Sequence, residues 1–444
     1  MKFQSFSFKS LNEVIEMSES MNLGLHFSDN MELFHKKVNV NGVTIPNSLA
    51  VHPMEGTDGK FDGSPDELTI RRYDRFSKGG AGLLWFEAVA VVPEGRASPR
   101  QLWINEDNVG EFEKLHDRIV KNAQKEFGAG FTPVCIMQLT HSGRFSRPEG
   151  SPAPIIAYHN PILDERRKID PDIKPVDDAY IESLEEKFEK AAVLAYKAGF
   201  DGVDVKACHR YLNSELLAGF TRKGKYGETF EGRTRFLLNT VDRIKSRIGG
   251  KFIVSTRLNI YDGIPYPYGW GVNKENYLEC DFTEPLELVR LLYEKGVRLI
   301  NLTMGTPYYN PHVNRPFDKG EYIPEEHPLE GVARMVNGIG VIQKAFPDMA
   351  VVGTGYSWLR QFSPYLAAGS LENGLATIIG YGRESFAYPD APRDILNEGA
   401  LKREKCCIAC GKCTEIMRAG GTTGCAVRDV EVYAPIYREY CMKK

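Results

Sequence analysis

The sequence predicts an α/β protein, a (β/α)8 TIM barrel followed by a small cysteine-rich subdomain. Three observations carry this reading. Eight short, β-rich apolar runs recur between residues 47 and 382. Amphipathic stretches of helical period separate them. Five of the nine cysteines then crowd into "CCIACGKCTEIMRAGGTTGC", from Cys406 to Cys425.

In chain order the runs are "NSLAVHP" (47–53), "GLLWFEAVAV" (82–91), "FTPVCIMQLT" (131–140), "FDGVDVKA" (200–207), "FIVSTRL" (252–258), "VRLINLTMG" (297–305), "MAVVGTG" (349–355) and "LATIIGYG" (375–382). Each is rich in Val, Ile, Leu or Phe, as expected for a strand. Among the intervening helices, 178–200 sets Leu184, Phe188, Ala191, Ala192 and Ala195 on one side. Asp177 or Asp178 is the candidate cap there and Gly199 the stop. Strand-then-helix repetition implies a parallel sheet, closed as a barrel or open and doubly wound. No G-x-G-x-x-G opens a helix after any of these strands, which disfavours the open sheet. The expected division is a barrel over 1–395, with an N-terminal extension 1–35, and a cysteine-rich tail over 396–444.

A net charge of −3 shows no basic field for nucleic acid. No stretch approaches the roughly 18 apolar residues of a membrane span, and the N-terminus lacks the apolar core of a signal peptide. The expected location is cytoplasmic, where thiols stay reduced and clustered cysteines more often bind metal. From Cys407 the spacing is C-x2-C-x2-C-x11-C. Such thiolates suit an iron–sulfur cluster or zinc, and spacing alone leaves both open.

Barrel chemistry gathers at the C-terminal ends of the strands. Gln138 and Arg257 end strands three and five. Gly355, Gly380, Gly382 and Arg383 cluster after strands seven and eight, where backbone N–H groups and a cation can meet a phosphate. Lys206, His209 and Tyr211 follow strand four, and a helical turn there would put Lys206 and His209 on one face. Two donors beside a phenol make a carbonyl clamp with a proton source. The long loops 143–177 and 305–327 carry Arg166, Arg167, His312 and Arg315, which suit an acidic substrate.

"HPM", "GGAGLLWFEAVAV", "MQLTHSGR", "DGVDVKACHRYL", "KYGETFEGRTRF" and "IIGYGR" together resemble the old yellow enzyme family of FMN-dependent ene-reductases, over about residues 35–395. The tail resembles that family's iron–sulfur branch, which includes 2,4-dienoyl-CoA reductase and trimethylamine dehydrogenase. The resemblance implies that Pro53, Met54, Ala88, Gln138 and Arg257 contact the isoalloxazine. It implies that Gly355, Gly380, Gly382 and Arg383 hold the FMN phosphate. Residues 206 and 209 would clamp a substrate carbonyl, Tyr211 would donate a proton, and Cys407, Cys410, Cys413 and Cys425 would bind a 4Fe-4S cluster. The implied reaction is hydride transfer to an activated C=C of an enone, enoate, steroid enone or linear tetrapyrrole. Amine dehydrogenation and a zinc-stabilised ligand-binding barrel are the alternatives.

Three departures stand out. Lys206 replaces the usual histidine, and Glu55 replaces a small or hydroxyl residue. The second cysteine gap is shorter than in the dienoyl-CoA reductase branch, so Cys406 competes with Cys407 as first ligand. No dinucleotide fingerprint for the branch's FAD and NAD(H) domains occurs. Electrons are therefore expected from NAD(P)H directly, or from a partner such as a flavodoxin, ferredoxin or flavin reductase. A homo-oligomer is also compatible.

Overall fold

A computed structural model describes residues 2–442. All eight expected strands form: β1 (Leu49–Val51), β2 (Leu83–Ala90), β3 (Val134–Thr140), β4 (Gly202–Val205), β5 (Ile253–Asn259), β6 (Leu299–Thr303), β7 (Ala350–Gly353) and β8 (Ile378–Tyr381). They pair in parallel, and β8 closes on β1. Every strand position is buried, because the interior fills one face and the outer helices cover the other.

The helix after β3 shows how the pattern folds. It runs Asp178–Lys197 and starts when the Asp177 carboxylate accepts the Tyr180 N–H at 2.8 Å. Ile181, Leu184, Phe188, Ala191, Ala192 and Ala195 are buried, and Gly199 leaves it with φ +87°. Inside the barrel, Leu83, Trp85, Val134, Ile136, Ile253, Leu299, Val352 and Ile378 pack with Val38, Val40 and Ile45. Those last three belong to a two-stranded hairpin, Val38–Val40 with Val43–Ile45, which serves the N-terminal end of the barrel. The opposite end is left for chemistry.

A register shift between Phe86 and Ala88 interrupts the pairing of β2 with β3. Such a bulge re-aims the residues beyond it. Here it pairs Ala88 with Gln138, carrying the two onto the same side.

The expected boundary at 395/396 falls inside the helix Ala391–Glu398, so the tail leaves the barrel only after that helix. The tail folds back over the barrel mouth. Thr423 N–H donates to the Gly56 carbonyl at 2.7 Å, and Thr57 Oγ1 donates to the Gly421 carbonyl at 2.9 Å. Asp429 receives both Arg71 nitrogens, at 2.7 and 2.9 Å, and also pairs with Arg75. Among the described residues, no helix is long and apolar enough to cross a membrane.

Candidate active site

The strand ends meet in one cavity. Pro53 and Met54 after β1, Ala88 of β2, Gln138 of β3 and Arg257 of β5 line it. So do Lys206, His209 and Tyr211 beyond β4, Gly355 beyond β7, and Gly382 and Arg383 beyond β8. Gly380 is placed differently. It lies within β8, and a Cβ there would sit 2.3 Å from His52 Nε2. Packing against that ring, rather than close approach of a phosphate, explains the glycine. Gly380→Ala is expected to cost about 1–3 kcal/mol by overpacking, read as a lower midpoint in thermal unfolding.

A buried carboxylate organises the floor. Asp204 accepts from Gln138 Nε2 at 2.6 Å, Trp85 Nε1 at 2.8 Å and the Arg257 N–H at 2.6 Å. Burial pushes its carboxyl up to about 6, while these hydrogen bonds pull it down. Gln138 therefore turns its amide nitrogen inward and leaves its carbonyl oxygen for the cavity. Beside it, Asn301 Nδ2 and His52 Nδ1 are 3.0 Å apart.

Three buried nitrogens without hydrogen-bond partners among the described residues belong to side chains that line this space: His209 Nε2, Arg257 Nε and Arg315 Nε. Leaving such groups unsatisfied is costly. Burial, then the nearby Arg383, pushes the Arg315 guanidinium down to about 9. Neither arginine has a carboxylate partner among the described residues. A phosphorylated, carbonyl-bearing planar group satisfies both features, since the arginine pair suits a phosphate and the Arg257 donor suits a ring carbonyl, which leaves His209 Nε2 for a second ligand. The residues present fit FMN.

Beyond β4 the chain does not make the helical turn that would put Lys206 and His209 on one helix face. His209 and Arg210 adopt φ +64° and +60°, and the helix begins only at Leu212. This left-handed kink, not a shared helical face, brings Lys206, His209 and Tyr211 to one cavity. Lys206 Nζ lies 3.8 Å from the centre of the Tyr211 ring. Tyr211 Oη meets Tyr308 Oη at 3.1 Å. Burial holds the Tyr211 phenol well above its ordinary pKa, helped by Tyr308 and Glu55. Burial also lowers Lys206, which Cys208 and Glu55 partly offset, and keeps His209 neutral.

Cys407, Cys410, Cys413 and Cys425 line a small neighbouring cavity with Arg383 and Phe386. Cys413 and Arg383 line both spaces. Cys406 is turned away, fully buried, with Sγ donating to the Lys402 carbonyl at 3.4 Å. Among the described residues, no three of the four sulfurs lie within 4.8 Å of one another. A tetrahedral zinc site, with Zn–S bonds near 2.3 Å, needs sulfurs about 3.8 Å apart.

Sequence reasoning did not place Tyr308, Met417 and Thr423 in the cavity, and it read Arg315 as a substrate ligand. The Tyr- and Pro-rich loop 305–327 was the available signal for Tyr308. The tail residues gave none, because their placement depends on how the tail folds back. His312 does not join the site, since its Nδ1 meets Tyr322 Oη at 2.5 Å.

Residues 32–268 match the NADH:flavin oxidoreductase / NADH oxidase family. The NADH oxidase of Thermoanaerobacter brockii is 27% identical over 380 residues, covering 84% of this chain and 52% of the relative. The cinnamate reductase of Clostridium sporogenes is 26% identical over 434 residues, covering 94% of this chain and 60% of the relative. The chain thus spans little more than half the length of these two relatives. The solved structure of 2-naphthoyl-CoA reductase superposes with a TM-score of 0.71 at 20% identity, over 93% of this chain and 58% of that one, a likeness of fold. On the family match and the closed barrel together, the chain belongs to the NADH:flavin oxidoreductase / NADH oxidase family of flavin-dependent oxidoreductases.

Proposed function

We propose that this chain is an ene-reductase using FMN in the barrel mouth and a 4Fe-4S cluster in the tail. The observation that carries the reading is one cavity lined both by the partnerless arginine nitrogens Arg257 Nε and Arg315 Nε and by Lys206, His209 and Tyr211. The relative named cinnamate reductase, aligned over 94% of this chain, supports it. When bound and reduced, FMN would supply hydride to the electron-poor carbon of an α,β-unsaturated carbonyl compound.

The chain's residues do the rest. Arg315 and Arg383, with Gly355 and Gly382, hold the phosphate. Pro53, Met54, Ala88 and Gln138 seat the ring. His209, neutral, presents Nε2 to the substrate carbonyl oxygen, and Lys206 adds positive charge where enolate charge grows. Tyr211 keeps its proton on Oη at neutral pH and delivers it to the α-carbon. A cavity that already contains Lys206 suits a neutral or anionic substrate over a protonated amine. Electrons enter from NAD(P)H, or through the tail from a reduced electron-transfer protein.

The test is to purify the protein anaerobically, record its spectrum, and follow flavin reoxidation by a panel of unsaturated carbonyl compounds. Flavin bands with a cluster shoulder and reoxidation by at least one compound are expected. A colourless protein with stoichiometric zinc sinks the proposal.

Arg257 gives a sharper check. Its Nε has no partner, and a guanidinium beside the ring would stabilise negative charge on the reduced flavin. Arg257→Ala is expected to remove about 1.5–3 kcal/mol of that interaction, read as a lower flavin potential and weaker FMN retention. Unchanged potential and FMN content would leave Arg257 a purely structural cation.

A further inference from the structure

Beyond Tyr211 the cavity opens into an outer chamber of about 520 Å³, in the range of small-molecule sites. The proposed chemistry makes no use of it. Five arginines line this chamber, Arg100, Arg147, Arg166, Arg167 and Arg418, against the carboxylates of Glu55 and Glu321. Some of that charge is already matched. Arg100 pairs with Asp66 at 3.0 Å, and Arg147 donates to the Gly150 carbonyl at 2.8 and 3.1 Å. Of the other three, two share one carboxylate. Arg418 bonds to Glu321 directly and donates from its other terminal nitrogen to the Pro307 carbonyl at 2.8 Å, and Arg166 stands 3.8 Å from Glu321. Among the described residues Arg167 has no carboxylate partner, and it lies over the Phe145 ring, 5.3 Å from its centre. Positive charge therefore exceeds negative where Arg166, Arg167 and Arg418 converge.

The inner wall has different chemistry. Phe145 and Tyr308 stack with centroids 3.9 Å apart and planes 20° from parallel, and Tyr211 continues the row at 6.2 Å from Tyr308. Phe61 stands 73% exposed at the rim. An aromatic row thus leads from the reacting end to the arginines.

We propose that the chamber holds a carboxylate at the far end of the unsaturated substrate, gripped by Arg167 and Arg418. The substrate class is then an amphipathic unsaturated acid whose flat apolar body lies along Phe145 and Tyr308. Arginine forks pair with carboxylates through two parallel charge-assisted hydrogen bonds, and one shared glutamate leaves donors free for a second acceptor. This rests on the ene-reductase reading for which end of the substrate reacts, but the binding itself does not require turnover.

Isothermal titration calorimetry on the oxidised protein, as purified, tests it with two probes: 4-(3-oxobut-1-enyl)benzoate and its methyl ester. These share an enone and a ring and differ in charge at the far end. At low salt the acid is expected to bind at least about tenfold more tightly. Adding 0.5 M NaCl, on the order of a fivefold higher ionic strength than 0.1 M buffer, should narrow that ratio by screening. Arg167→Gln, at an exposed position, and Arg418→Gln should each bring the ratio below about threefold. Equal binding of acid and ester, failure of both to bind, or a tenfold ratio retained in both variants overturns the proposal. Turnover separates the two readings. An acid preference without reduction of the C=C keeps the carboxylate site and sinks the ene-reductase. Reduction of both probes at equal affinity does the reverse.

Discussion

Replacing Cys410 with alanine is expected to take the protein from about four irons per chain to less than one. Cys410 shares its small cavity with Cys407, Cys413 and Cys425, so its loss removes one of four converging thiols. Burial raises the Cys407 and Cys425 thiols above their ordinary range, so they ionise readily only when a metal compensates the charge. Cys407→Ala should behave like Cys410→Ala. Cys406→Ala should retain iron, because its sulfur is spent on the Lys402 carbonyl and lies outside the cavity. Iron and acid-labile sulfide assays on anaerobic preparations decide this. Iron lost from Cys406→Ala but kept in Cys407→Ala would move the first ligand by one residue.

Tyr211→Phe is expected to slow substrate-driven flavin reoxidation by about 100- to 10,000-fold, the usual contribution of a positioned general acid. Flavin reduction should proceed as before, since the phenol acts after hydride transfer. Only the hydroxyl is removed, so the ring contacts with Lys206, Phe145 and Tyr308 survive. Lys206→Met should slow the same half-reaction by about 100-fold or more through loss of an enolate partner. Stopped-flow measurement of each half-reaction separates the effects. Reoxidation of Lys206→Met at the wild-type rate would confine the lysine to packing on the Tyr211 ring.

The barrel was legible because its strands are buried on both faces and so read as nearly unbroken apolar runs. The helix 178–197 was legible because period, cap and stop agree. Positions governed by local backbone irregularity were harder. Ala88 reaches the cavity through a bulge, and His209 through two consecutive left-handed residues at 209 and 210, and neither feature has a periodic signature. Gly380 resembles a phosphate contact in the sequence because glycine after a strand has several causes, and only the tertiary position of His52 selects among them. Arg315 sits in a loop whose path is set by residues far along the chain. Its pairing with Arg383 across the cavity could not be read from spacing.

The tail's return to the barrel mouth has a consequence outside the chemistry. Thr423 is tied to Gly56, and Asp429 to Arg71, so the segment carrying Met417 and Arg418 is a wall of both chambers. Metal binding by clustered thiols is also folding energy for the segment that holds them. If the proposed cluster occupies the four thiols, losing it would loosen the segment that seats Arg418. Iron scarcity would then lower capture of substrate as well as turnover, and the supply of one nutrient metal would set how much usable catalyst a cell obtains from the chains it makes.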